Sequence, residues 1–484
     1  MTRTHALFLA VLLCAPIALL IWQRRNPSGL DRPAQDAEAA ERATRTYRWA
    51  VLAVMVWLAI GVAGRSLDLQ HNIETAALLL VVTGGVLIAP SYPLAGPASY
   101  GLLSYTFGRD DTVTTTLMNL GGTSAIAALS VAATFVWWRR RGGPLLLPGG
   151  LLGWSVALFA GWIAVSVLTS MAAGRPLDPA LTWRAARYAQ AVGLFYVAAV
   201  SRPGLGDIRA MVLALSAALV VRQVFLTSYW LFEQNLAILT VVTVPMALTL
   251  AFCRPFSRLQ IPLGLLSAYM AAMLLYVQNR GAVVGLAAAC LGMWPLARRR
   301  WLGLLALLTL PMVVGYWAFE AGLLDRFRQI YADGRFLGSA AERLAIWKGG
   351  LEIAREHWLF GVGPGNFEFA LRALTGGRLW MNAHNSYIEL LVEEGAPALG
   401  LYLLIFLGAA VRLAGAARRF PNNWRRTVGA GLLGSFAAHL AAGTFLSNPS
   451  LVWTWTLIGV AASLSGAAGP GDVGLQTPQR PSGE

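Results

Sequence analysis

The chain has 484 residues, 57% hydrophobic and 13% charged, about half the charged share of an average soluble domain. That balance excludes an ordinary soluble enzyme and fits a polytopic membrane protein. The net charge of +15 invites a nucleic-acid partner, but the basic residues sit in short clusters between apolar runs, which excludes one.

Fourteen apolar runs, begin near His5, Trp49, Glu74, Thr116, Gly150, Arg184, Ala210, Asn235, Leu259, Gly281, Trp301, Ala396, Thr427 and Leu451. Membrane spans need about 17–25 such residues, so the reading is an all-α polytopic membrane protein of about 12–14 transmembrane helices. Within residues 1–22 an apolar run follows Arg3 and precedes Arg24-Arg25 without a convincing small-residue cleavage site, as expected of an anchor rather than a signal peptide. A polar linker, 23–48, leads to N-terminal spans at 49–138, where the run near Gly84-Gly85 is short enough to be re-entrant or part of a longer broken span. Core spans fill 139–319, a large polar loop fills 320–395, and C-terminal spans fill 396–468. The Pro- and Gly-rich tail, 469–484, reads as disordered. Cys14, Cys253 and Cys290 lie in or beside apolar runs without metal-ligand spacing, so neither a zinc site nor a disulfide framework is indicated.

Arginine clusters fix an expected orientation. Arg139-Arg140-Arg141, Arg202 with Arg209, Arg254 with Arg258, Arg298-Arg299-Arg300, and the group Arg412, Arg418, Arg419, Arg425 and Arg426 fall on one side of the listed spans. By the positive-inside rule that side is cytoplasmic. The 320–395 loop then faces outward, consistent with its ten acidic residues against seven arginines and Lys348, a net of −2. The front end does not close: counting back from Arg139 puts the basic 23–48 linker outside. Either a span is miscounted between Arg65 and Thr115, or the linker departs from the rule.

The polar loop concentrates Gly, Asn, His and acidic residues, and function gathers on such loops. Across 340–357, Leu344, Ile346, Trp347, Leu351 and Ile353 recur at helical spacing, and Ser339 with Glu342 makes a capping box. Gly349-Gly350 permits a bend. The segment Gly361-Val362-Gly363-Pro364-Gly365-Asn366 has two readings: a helix terminator with a turn, or a backbone that approaches a polyanionic ligand closely. His384 and Asn385 precede a second helical pattern, where free N–H groups favour an anion. His384 is either an ordinary capping or interfacial histidine or a functional one.

Arg280, beside Gln278 and Asn279 and between two apolar runs, lies where a charge costs about 2.5–3.5 kcal/mol and is usually paired or functional. Snorkelling to the interface is the bland alternative. Arg222 lies deeper, within the run from Ala210, while Arg184 and Arg187 open another run at the same outer level. Guanidiniums at one depth suit phosphate, which arginine binds in bidentate fashion; each is equally able to serve as a structural ion-pair partner.

The Arg-x-x-x-Trp helix (Arg343, Trp347), the stretch LFGVGPGNF and the stretch HNSYIELLVEEGAPALGLYL together make the chain similar to the O-antigen ligase family, which includes lipopolysaccharide O-antigen ligases and related polysaccharide polymerases. The resemblance covers about 278–404 by motif and 139–230 only by span count. It implies metal-independent, inverting glycosyl transfer with no cofactor, at the periplasmic face of a bacterial inner membrane. It also implies a glycan on undecaprenyl diphosphate as donor and a lipid A-core, other glycan or protein as acceptor, with membrane lipids around the site. The family's loop histidine falls on His384 and its intramembrane arginine on Arg280, which makes these the expected base and diphosphate binder. Its second arginine has no clean counterpart, Arg222 being the nearest. Asn385, Gly363, Gly365, Asn366 and Arg187 complete the expected substrate-binding set.

Two other functions compete. A polymerase shares donor, leaving group and membrane face, and differs only in acceptor. A transporter or flippase for lipid-linked sugars is expected to place charges at the membrane midplane within broken helices, whereas here they gather at one face.

Overall fold

The computed structural model describes residues 13–14, 16–18, 20–21, 37–63, 69–106, 122–141, 147–173, 179–221, 223, 234–276, 280–296, 339–379, 381–420 and 424–464. Among them there are helices and no strands. Helices are the natural outcome of long apolar segments, because each satisfies its own backbone hydrogen bonds. The chain forms α1 (Ala37–Ala63), α2 (Leu69–Ile88), α3 (Ala95–Thr106), α4 (Gly122–Arg141), α5 (Gly150–Ala172), α6 (Pro179–Ser201), α7 (Leu205–Val221) and α8 (Gln234–Ala251). These are followed by α9 (Gln260–Tyr276), α10 (Arg280–Met293), α11 (Ser339–Glu356), α12 (Phe367–Leu374), α13 (Ser386–Glu394), α14 (Ala396–Arg419), α15 (Trp424–Ala442) and α16 (Val452–Leu464). The expected run near Trp301, the tail 469–484 and Arg222 lie outside the described residues.

Helix starts at Gly150, Gln234, Gln260, Arg280, Ala396, Trp424 and Val452 fall within a few residues of the expected span starts. Among the described residues two helices, Gly150–Ala172 and Ala396–Arg419, are long and apolar enough to cross a membrane, and five shorter apolar helices join them. At 23 residues, α5 is about 34 Å long at the α-helical rise, enough for a hydrocarbon layer of about 30 Å. Helix α1 begins inside the polar 23–48 segment, well before Trp49.

Helix α3 was not expected. Its sequence, AGPASYGLLSYT, is short of a membrane-length apolar run; it is held by burial of Ala98 and Tyr100 in the core and by Tyr100 Oη donating to Gln190 Oε1 at 2.6 Å. A tight turn joins α2 to α3, and Arg140 at the end of α4 donates to Ser91 in that turn. The turn therefore sits at the arginine end of the bundle. This reversal lies between Arg65 and Thr115, where one of the two readings of the front-end count puts a missed span.

Arginines close this end by donating to backbone carbonyls in loops and at helix ends. Arg209 reaches Cys253 O and Pro255 O, Arg412 reaches Ala462 O and Gly149 O, and Arg426 reaches Leu296 O. Cations suit helix C-termini, where carbonyls lack intrahelical partners.

Small residues set the helix packing. A Cβ on Gly292 of α10 would lie 2.6 Å from Leu433 O of α15, and one on Gly285 3.1 Å from Ala438 O. Such pairs let helix backbones meet closely, the packing favoured where the hydrophobic effect between helices is weak. In the inner bundle Phe159 of α5 meets Tyr188 of α6, Tyr402 of α14 and Trp455 of α16, with ring centroids 5.3–6.3 Å apart.

Opposite the arginine end, α11, α12 and α13 form a small cap with its own core of Ile346, Ile353, Val362, Phe367, Leu371 and Val392. Ser166 of α5 donates to Phe360 O at 2.9 Å and Trp162 Nε1 to Glu394 O at 2.9 Å, which seats the cap on α5.

Candidate functional site

The cap is organised around α13. Asn385 is its N-cap, accepting from Tyr387 N at 2.9 Å and Ile388 N at 3.1 Å, as expected of asparagine there. Ser386 ties the first turn to the α15–α16 loop: its N–H donates to Gly443 O at 2.8 Å, its hydroxyl donates to Leu446 O at 2.7 Å, and the same hydroxyl accepts from Asn448 N at 3.0 Å. Asn385 N donates to Ser447 Oγ at 3.1 Å.

His384 precedes this cap at φ +47, a left-handed conformation that costs a non-glycine residue on the order of 1 kcal/mol. The surroundings enforce it. His384 N donates to the Asn382 side chain at 3.2 Å, and Trp347 Nε1 of α11 holds Ala383 O at 2.8 Å. Arg343 lies one turn before Trp347, on the same helix face, and faces His384. Burial and the Arg343 charge hold the imidazole below its usual range, against the opposing pull of Glu389 and Glu342. A neutral imidazole is the form that accepts a proton.

Helix α11 runs unbroken through Gly349-Gly350. A Cβ at Gly350 would lie 2.9 Å from Ile388 Cγ2, and at Gly349 2.7 Å from Leu371 Cδ1. The two glycines bring α11 against α12 and α13.

The glycine segment lies against the far end of α13. Val362 N and Gly363 N donate to Val392 O and Glu393 O, each at 2.8 Å. Gly361 has φ +70, and a Cβ there would stand 2.1 Å from Glu393 O; one on Gly363 would stand 2.5 Å from Ser170 Oγ of α5. The close approach that glycine permits is thus to α13 and α5. Asn366 is buried and donates to Val362 O at 3.0 Å, while the Glu393 carboxyl accepts from Gly365 N and Phe367 N. Gly363, Gly365 and Asn366 hold α13 in place.

Behind α13 lies a buried charge cluster. Arg184 Nη2 of α6 contacts Glu389 Oε1 at 2.6 Å, and its Nε lies 3.9 Å from Glu393 Oε2. Removing one partner from such a pair typically costs about 3–5 kcal/mol. Glu394 is fully buried, with the Tyr188 hydroxyl beside its carboxyl. Three carboxyls face one guanidinium, and protonation relieves the excess. Burial, reinforced by Glu389 and opposed by Arg184, raises Glu393 to about 7. Burial and Glu393 hold Glu394 well above the carboxylate range. Arg187, one turn on from Arg184, stacks over Trp183 with Cζ 4.7 Å from the ring centroid.

Arg280 is the first residue of α10, and its side chain lies outside the described residues. Its backbone position follows from packing: Gly285 meets Ala438 and Ala442 near the C-terminus of α15, so the chain reaches the level of Gly443 at Arg280. The structure therefore gathers His384, Asn385, Arg343 and the start of α10 at one end. Arg343, which sequence reasoning left without a role, carried a signal in its four-residue spacing from Trp347.

Residues 265–403 match the family model described as O-antigen ligase. The stretch carries an O-antigen ligase domain. It contains Arg280, the whole cap and the first part of α14. The ligase domain supports a membrane enzyme of the O-antigen ligase or polymerase type acting in polysaccharide biosynthesis. No curated protein matches the chain.

Proposed function

We propose that the chain is a bacterial inner-membrane glycosyltransferase of the O-antigen ligase type. It transfers a glycan from undecaprenyl diphosphate to a hydroxyl of lipid A-core or a similar acceptor at the periplasmic face. The observation that carries this reading is the placement of His384 just before the N-terminus of α13, where Trp347 holds the preceding carbonyl, inside the ligase domain.

The chemistry follows from the groups present. The acceptor hydroxyl loses its proton to the His384 imidazole as its oxygen attacks the anomeric carbon. The bond from that carbon to the diphosphate oxygen breaks, its electron pair stays on the diphosphate, and the anomeric configuration inverts. General-base assistance of this kind is worth about 10²–10⁴-fold. Arg343 and Arg280 compensate the charge that develops on the diphosphate, with Arg222 a further candidate, and fixed guanidiniums do so without a divalent ion. A lipid-borne donor accounts for a site placed where the cap meets the bundle. The gathering of polar residues at one end, rather than at the midplane, supports an enzyme over a transporter.

The test uses purified protein in lipid nanodiscs with lipid-linked glycan, with and without added lipid A-core. Transfer is expected only with the acceptor, to persist in chelator, and to fall at least about 100-fold in His384→Ala. Glycan growth on the lipid carrier without acceptor assigns the polymerase reaction instead. Undiminished transfer by His384→Ala overturns the mechanism.

A further inference from the structure

The backbone on both sides of His384 is held, and by different parts of the chain. A residue's φ and ψ set the rotation between the rigid peptide before it and the rigid peptide after it. The preceding peptide is fixed within the cap. Trp347 Nε1 of α11 donates to Ala383 O at 2.8 Å, and His384 N donates to Asn382 Oδ1 at 3.2 Å. The following peptide is fixed from the bundle, where Asn385 N donates to Ser447 Oγ at 3.1 Å. Trp347 and Ser447 therefore grip the two ends of one turn, and between them His384 stands at φ +47. Released from either side, a residue with a side chain relaxes towards negative φ.

The loop that carries Ser447 is itself tied down. On one side of it Leu446 O accepts from the Ser386 hydroxyl at 2.7 Å, and on the other Asn448 N donates to that hydroxyl at 3.0 Å. Trp455 Nε1 of α16, whose side chain is fully buried, holds Pro449 O at 3.1 Å. This mount lies outside 265–403.

We propose that Ser447 is a positioning residue for the His384 imidazole: by accepting from Asn385 N it fixes the second of the two peptides that set the left-handed turn, and so aims the ring at the acceptor hydroxyl. The proposal rests on the reading of His384 as the base. Ser447 exchanges no proton in the transfer step; its oxygen holds one backbone N–H throughout. A base must lie within hydrogen-bond reach of the proton it takes. A relaxed backbone swings the ring out of line and slows the step without loosening the donor.

The experiment joins kinetics to an NMR measurement that needs no turnover, both on the full-length protein in nanodiscs. A left-handed residue brings its amide hydrogen close to its α-hydrogen, which gives a strong NOE. In histidine-labelled protein the His384 signal is assigned by its loss in His384→Gln. Ser447→Ala should weaken this NOE and lower kcat about 10–100-fold, with donor KM within about twofold and the melting temperature within about 4 °C. Ser447→Thr keeps the oxygen and should restore the NOE and most of kcat. Because Trp347 and Ser447 hold the same turn, Trp347→Phe combined with Ser447→Ala should cost about as much as the costlier single variant. Losses that multiply instead would show two independent effects and overturn the proposal. An unchanged NOE or an unchanged kcat in Ser447→Ala overturns it as well. Wild-type protein that shows the NOE but transfers no glycan strikes the ligase reading, while the NOE of the variants still decides the backbone role of Ser447.

Discussion

At the scale of single residues, the carboxyls of α13 make stability depend on pH in an unusual direction. Glu393 has a folded-state value of about 7 against 4.5 for an ordinary glutamate, so the folded chain binds this proton more tightly than the unfolded one. Its stabilising contribution is complete below the unfolded value and disappears as pH rises through about 7, on the order of 3 kcal/mol in all. Glu394 acts in the same sense. The melting temperature in nanodiscs should therefore fall as pH rises from 5 to 8, and Glu393→Gln should flatten that slope. Gln retains a carbonyl to accept from Phe367 N, so the cap should remain closed. A wild-type slope of opposite sign would refute the assignment of a protonated carboxyl here. His384 and Asn385 were legible in the sequence because a cap followed by a helical pattern is local information. The Arg184–Glu389 pair was not, because it joins residues from distant parts of the chain and each looks like a surface charge when read alone.

At the scale of elements, α11 serves the histidine through two side chains on one face. Trp347 restrains the backbone just before His384 through its bond to Ala383 O, and Arg343 supplies the neighbouring charge. Trp347→Phe keeps the ring in the cap core and removes only that bond. A hydrogen bond of this kind is worth about 1 kcal/mol net, so stability should drop by about that much. The kinetic cost should be larger, because a freed Ala383 lets His384 leave its left-handed geometry. The expected result is a fall in kcat exceeding the change in donor KM, with circular dichroism unchanged. Equal stability and full activity would show that the bond does not hold the histidine. The sequence pattern located α11 from its apolar periodicity, yet suggested a bend at Gly349-Gly350. Glycine weakens an isolated helix, but here the missing Cβ atoms admit Ile388 and Leu371, and packing decides.

At the scale of the whole molecule, apolar run length made most helix starts legible, since a bundle of this kind is dictated by where backbone must be shielded. Helix α3 escaped because its twelve residues are too few for a span, although Ala98 and Tyr100 are buried in the bundle core. The glycine contacts between α10 and α15 were likewise invisible without knowing which helices are neighbours. They yield a prediction: Gly292→Leu, whose Cβ would already meet Leu433 O at 2.6 Å, should force α10 away from α15 and shift Arg280 relative to the cap. Thermal stability should fall by more than about 2 kcal/mol, with donor affinity weakened in parallel. Gly206→Leu, where a Cβ meets nothing within 4 Å, is the control and should behave as wild type.

The way Ser386 is fastened has a practical corollary for anyone building chimeras. Its three bonds end on Gly443, Leu446 and Asn448, downstream of 265–403, and Arg184 comes from upstream of it, so every one of these anchors lies outside that stretch. A graft limited to that stretch would carry the histidine without its footing. An active hybrid must import α6 and the α15–α16 hairpin along with it.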